Sequence, residues 1–198
     1  MAPEVLVLMD SSDPYAMGVL EQTEHALETS RIPYRLHDVT SSPRLPDLED
    51  VQAVVTAIEK MQVLPDESAD RLEAFVESGG GLVVAYRGWS PRLASFLGLA
   101  TRADVAFDAP ARSVTFHTAL MPGGDAMVLE DQAVSSYAVR VRPECDVVAT
   151  RGEAQKPTVW MCPRGEGRIV YWNAALIATK PYRGFLLQSL AAVYPEHV

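Results

Sequence analysis

The residues best placed to do chemistry stand just after short apolar runs. Asp10-Ser11-Ser12-Asp13 follows Val5–Met9, and Glu59-Lys60 follows Ala53–Ile58. Tyr86-Arg87-Gly88-Trp89 follows Leu82–Ala85, and Asn173 follows Arg168–Trp172. If the runs are parallel strands of one sheet, these residues line the crevice outside the strands' carboxyl ends, where open α/β sheets bind ligands. Asp10, Ser11, Glu59, Tyr86, Arg87, Trp89 and Asn173 form the candidate ligand-binding set. Aromatic faces beside hydrogen-bonding groups suit a carbohydrate. The competing reading ties Glu59 to Arg87 in an ion pair that closes the crevice. For the loop 10–13, two carboxylates and two hydroxyls can hold a cation or sugar hydroxyls, or form a helix cap and an Asx turn.

Other chemistries lack their residues. Asp10 and Asp13 have the wrong spacing for an aspartyl-phosphate site, and the loop has no glycine with which to cradle a phosphate. Histidines 25, 37, 117 and 197 include no pair at metal-ligand spacing, so neither a metal nor a cofactor is expected. The two cysteines, Cys145 and Cys162, fit no metal motif. Two free thiols are the expectation, and a disulfide requires that their strands be neighbours. Trp160, Tyr171 and Trp172 are expected to pack the core or edge of the sheet rather than stack on a ligand.

These groups need elements to position them. Glu4 to Met9 reads as a strand, followed by a helix from Tyr15 to Thr29 with Asp13 as its cap and Pro14 at its first turn. Pro33 to Val39 and Ala53 to Ile58 read as further strands. A helix opening at 65–68 has Ala69, Leu72, Phe75 and Val76 at helical spacing. Gly79 to Gly81 stop it before the strand Leu82 to Ala85. Ser90-Pro91 opens a short helix to Leu97. From 101 the rhythm changes to short strands at 114–118, 126–129, 137–141, 147–150 and 158–162. A turn at 165–167, a strand to Trp172 and a helix over 181–194 close the chain. Apolar strands that do not alternate, separated by helices, imply a flavodoxin-like parallel sheet covered on both faces. The segment 101–157 is an antiparallel insertion or extension within a single 1–198 domain.

Three segments together resemble the class I glutamine amidotransferase-like superfamily: Val5-Leu6-Val7-Leu8-Met9-Asp10, Glu77-Ser78-Gly79-Gly80-Gly81-Leu82-Val83-Val84, and Gly165 through Asn173. Asn173 and Pro181-Tyr182-Arg183-Gly184-Phe185-Leu186-Leu187 resemble uncharacterised bacterial domains that accompany polysaccharide deacetylase modules. That closing run is also similar to the non-catalytic middle domain of some β-galactosidases. The resemblance implies an amidotransferase-like fold over about two-thirds of the chain. Active members keep a Cys on a strained turn after a core strand, with His and Glu near the last strand. Here that turn is Ala85-Tyr86-Arg87-Gly88, and no His follows the last strand until His197. Arginine stays protonated and the phenol is mostly neutral, so neither replaces a thiolate. The resemblance therefore implies a non-catalytic member, with no catalytic residue.

A net charge of −9 disfavours nucleic acid and anionic membranes. No apolar run approaches the ~18 residues of a membrane span, and no targeting segment is visible. The chain is expected to be cytoplasmic or part of a larger envelope protein. Its first reading is a binding or interaction module in bacterial exopolysaccharide or cell-envelope carbohydrate processing, with a carbohydrate or another domain as partner. The second is a hydrolase or transferase that uses Asp10 or Glu59 as acid/base and Arg87 against an anion. The third is a homodimer through the exposed edges of the antiparallel block.

Overall fold

A computed structural model describes residues 4–100, 106–108, 110–117, 128–129, 135–174 and 182–193. The strands are β1 (Glu4–Met9), β2 (Tyr34–Asp38), β3 (Val51–Ala57), β4 (Gly81–Val84), β5 (Val114–Phe116), β6 (Val128–Leu129), β7 (Asp146–Arg151), β8 (Lys156–Arg164) and β9 (Gly167–Trp172). The helices are α1 (Pro14–Thr29), α2 (Asp66–Glu77) and α3 (Tyr182–Val193). The strands form one nine-stranded sheet in the order β2-β1-β3-β4-β9-β8-β7-β5-β6. The first five are parallel, in the flavodoxin-like order, and the pairs from β9 onward are antiparallel.

Alternation along the central strands builds two cores. Val5, Val7, Val55, Val83, Val170 and Trp172 face α1 and α3, whereas Leu6, Leu8, Val54, Leu82, Ile169 and Tyr171 face α2 and the segment 93–99. Because both faces are covered, the strands read as continuous apolar runs. Trp160, Tyr171 and Trp172 are fully buried, as expected.

The helix signals act as read. The Asp13 carboxylate accepts the Tyr15 N–H at 2.9 Å, with Pro14 in the first turn of α1. Ala69, Leu72 and Val76 bury the inner face of α2. Gly79 stops α2 with φ of 112°, a conformation that a side chain disfavours. No helix joins β2 to β3. Instead, Arg71 of α2 donates to the carbonyls of Leu45 and Pro46, and Ser68 donates to that of Pro43, holding the loop against the helix with Leu45 buried.

Three expectations are corrected. The segment 91–97 makes isolated helical turns but no helix. Side chains from β8 take its carbonyls: Arg164 donates to Ser95 and Phe96, and the Trp160 indole donates to Leu97. The segment 137–141 is not a strand, because its bridges go to different partners. Tyr137 pairs with Phe107, and Val141 pairs with Leu99. The cysteines are not free thiols but the disulfide Cys145–Cys162. Asp146 pairs with Met161 across β7 and β8, so the next step outward sets the two cysteines opposite each other. The bond packs on Gly98, which has φ of 85°. A strand starting at 126 and the ends of the expected strand 114–118 and helix 181–194 lie partly outside the described residues. Among the described residues, no helix is long and apolar enough to cross a membrane.

Candidate functional site

Beyond β4 the chain turns sharply. Arg87 adopts φ of 42°, the left-handed region that a long side chain rarely occupies. The turn is held from both sides. The Ala85 N–H donates to the Thr56 carbonyl at 3.1 Å, and the Arg87 N–H donates to the Trp172 carbonyl at 3.0 Å. The Tyr171 hydroxyl donates to the Gly88 carbonyl at 2.9 Å. The strained residue on this turn is therefore an arginine.

Its side chain is buried among partners. Arg87 Nη2 lies 2.8 Å from Glu59 Oε1, with side-chain exposures of 9% and 15%. The same guanidinium donates to the Tyr86 hydroxyl at 3.2 Å and to Ser135 Oγ at 2.8 Å. It also stands 4.9 Å from the Phe107 ring centre and 5.0 Å from that of Tyr86. Its Nε has no partner among the described residues. The Tyr137 hydroxyl donates to Glu59 Oε1 at 3.0 Å, so one carboxylate oxygen receives two donors. Phe107 stacks on Tyr137 and lids the cluster. Burial, then the charge of Glu59, pushes the Tyr86 and Tyr137 phenols up, so both stay protonated donors at neutral pH.

Asn173 does join this cluster, but as a brace. Its amide accepts the Tyr137 N–H at 3.2 Å and donates to the Tyr137 carbonyl at 2.9 Å. It thus pins the residue whose hydroxyl holds Glu59. Trp89 is buried in the core on the α2 side, and its N–H donates to the Glu59 carbonyl at 2.8 Å. Five of the seven sequence-selected residues, Glu59, Tyr86, Arg87, Trp89 and Asn173, therefore come together.

Asp10 and Ser11 are drawn instead toward the end of β2. Asp10 Oδ1 accepts the Ser12 N–H at 2.9 Å, the Ser12 hydroxyl at 2.5 Å and the Thr40 hydroxyl at 2.7 Å. Burial opposes ionisation of Asp10, but these bonds outweigh it and hold the carboxyl below its ordinary range. The Ser11 hydroxyl donates to Asp38 at 2.8 Å. Asp38 is held far below the usual range, first by the Ser41 hydroxyl and then, against some burial, by Ser11 and Thr40. The loop forms a polar clasp between the ends of β1 and β2. Among the described residues, no cluster of three or more metal-ligating side chains exists.

Sequence reasoning missed Tyr137, Phe107 and Ser135. All three lie in the irregular part of the chain, and only the fold shows that they reach the turn after β4.

No family model and no curated protein matches the chain. Solved structures do. A ThuA-like protein from Bacteroides uniformis aligns with a TM-score of 0.72 at 14% identity, over 99% of this chain and 94% of that one. A ThuA-like protein from Parabacteroides merdae aligns at 0.70 and 12% identity, over 100% and 91%. A β-galactosidase from Bacillus circulans sp. alkalophilus aligns at 0.68 and 15% identity. That match covers 98% of this chain but 32% of the enzyme, so the chain spans about a third of its length. ThuA-like proteins belong to the class I glutamine amidotransferase-like superfamily. The chain shares their amidotransferase-like α/β fold and carries a buried, ion-paired arginine on the turn after its fourth strand.

Proposed function

We propose that the chain is a non-catalytic binding or interaction module that serves bacterial exopolysaccharide or cell-envelope carbohydrate processing. One observation carries this reading: the strained turn presents Arg87, and Glu59 neutralises it within a buried cluster. Arginine does not lose its proton at physiological pH and cannot act as a nucleophile there. Among the described residues Glu59 is the one carboxylate in that cluster, and Arg87 and Tyr137 occupy the same oxygen. A general acid or base needs to reach a substrate proton, and one of the two oxygens of Glu59 is already engaged. On this reading Glu59, Tyr86, Arg87, Trp89 and Asn173 close the crevice and stiffen the carboxyl ends of the strands. The polar clasp at Asp10, Ser11 and Asp38 does the same for β1 and β2.

The carbohydrate setting draws support from the likeness to one part of a larger β-galactosidase, 32% of whose length the match covers. Fold likeness by itself does not assign activity. The test is to incubate the protein with neutral and acidic oligosaccharides and with glutamine, following each by proton NMR. The reading expects every compound to be recovered intact, with line broadening for any that binds. Appearance of a hydrolysed product would refute it.

A further inference from the structure

An opening lies beside the Arg87 cluster and shares Tyr137 with it. It measures about 320 Å³, at the lower end of the roughly 300–1,000 Å³ range of small-molecule sites. Its charged lining is Asp108, Arg140, Arg151 and Lys156. Arg151 is 3% exposed. Asp108 Oδ2 lies 2.8 Å from Arg151 Nη2 and 2.5 Å from Lys156 Nζ. Those contacts explain two cations and one carboxylate as a tie between segment 106–108 and the β7–β8 hairpin. They do not explain Arg140, whose exposed side chain makes no hydrogen bond or ion pair among the described residues. Among the described residues, three cations thus face one carboxylate, on a chain whose net charge is −9. A local excess of positive charge in a concave site attracts anions. The walls given by Tyr137 and Pro157 supply apolar contact for a compact body.

We infer that this cavity binds a small organic anion, a carboxylate or phosphate carried on a body of about monosaccharide size. Arg140 and Lys156 meet the anionic group at the mouth. Asp108, held by Arg151, keeps Lys156 in place. The inference rests on the reading of the chain as a binding module, but its charged groups are distinct from those of the Arg87 turn, so the two can fail separately.

The test is calorimetric titration of the full chain with glucuronate, glucose 6-phosphate, inorganic phosphate and, as neutral control, glucose. The expected result is saturable binding of glucuronate or glucose 6-phosphate and none of glucose. The stronger of the two identifies the anionic group, and inorganic phosphate equal to glucose 6-phosphate would mean that the body contributes nothing. Arg140→Ala should weaken binding about tenfold, as loss of one charge-assisted contact does, and added salt should weaken it further. Arg140 is exposed and its side chain has no partner among the described residues, so the variant should melt like wild type. Lys156→Met is the second variant and should weaken binding in the same direction. Equal binding of glucose, no binding of either sugar anion, or unchanged affinity in Arg140→Ala overturns the inference. Conversion of a bound compound would instead refute the non-catalytic reading and leave the cavity's role standing.

Discussion

Replacing Arg87 with alanine tests the closure of the crevice. The change leaves Glu59 in a site where its side chain is 15% exposed. Removing one partner of a buried ion pair costs about 3–5 kcal/mol. The Tyr137 hydroxyl still donates to Glu59, which argues for the lower end. Lost contact with the Phe107 and Tyr86 rings adds about 0.5–1 kcal/mol. The expected loss is therefore about 3–4 kcal/mol. Arg87→Gly should lose about 1 kcal/mol less, because glycine adopts φ of 42° without strain while alanine does not. That order reverses the usual advantage of alanine. Urea unfolding followed by tryptophan fluorescence suits the measurement, since Trp89, Trp160 and Trp172 are all buried. A constant denaturant slope would show that stability alone changed. In a double-mutant cycle with Glu59→Gln, the coupling should be about 2 kcal/mol or more, as for contacting charged partners. A loss below about 1 kcal/mol for Arg87→Ala, or additive single effects, would show that Glu59 and Arg87 are separately solvated and that the crevice is not closed by their pairing.

Three further outcomes are expected. Cys145→Ser/Cys162→Ser should lower stability by about 3 kcal/mol in chemical denaturation, the loop-entropy value for a separation of 17 residues. Unchanged stability would mean that the two cysteines are not bonded in solution. Gly98→Ala should destabilise strongly, because a Cβ there would sit 2.3 Å from Cys162 Sγ and 2.7 Å from Cys145 Sγ, at a φ of 85°. A melting temperature equal to wild type would misplace the disulfide's packing. Asp10 and Asp38 have folded pKa values below their unfolded ones, so their stabilisation is present above about pH 4 and drains away as pH falls toward the folded values. The melting temperature should drop on acidification below that point, and Asp38→Asn should flatten the drop. An equally steep profile in the variant would remove Asp38 from the clasp.

The parallel half of the fold was legible because its signals are local. Asp13-Pro14 starts α1, Gly79 stops α2, and the unbroken apolar runs of β1, β3, β4 and β9 describe strands covered on both faces. The later half depends on non-local partners. Ser90-Pro91 spells a helix start, yet the segment makes only isolated turns, and Arg164 and Trp160 of β8 donate to its last carbonyls. The disulfide required the β7–β8 register, which composition does not set. In the site, the rule of the strands' carboxyl ends gathered Glu59, Tyr86, Arg87, Trp89 and Asn173. It misdirected Asp10 and Ser11, because Thr40 and Asp38 lie closer at the end of β2 and offer matching hydrogen-bonding groups. Tyr137 has no sequence signal of its own. Its role arises from Asn173, which grips its backbone on both sides.

The central claim is that the turn after β4 holds no reaction centre. It is tested most directly by turnover of glutamine, p-nitrophenyl esters and p-nitrophenyl glycosides by wild type and Glu59→Gln side by side. Product formation indistinguishable from buffer in both proteins is the predicted result. Turnover by wild type that disappears in a folded Glu59→Gln variant would contradict the account.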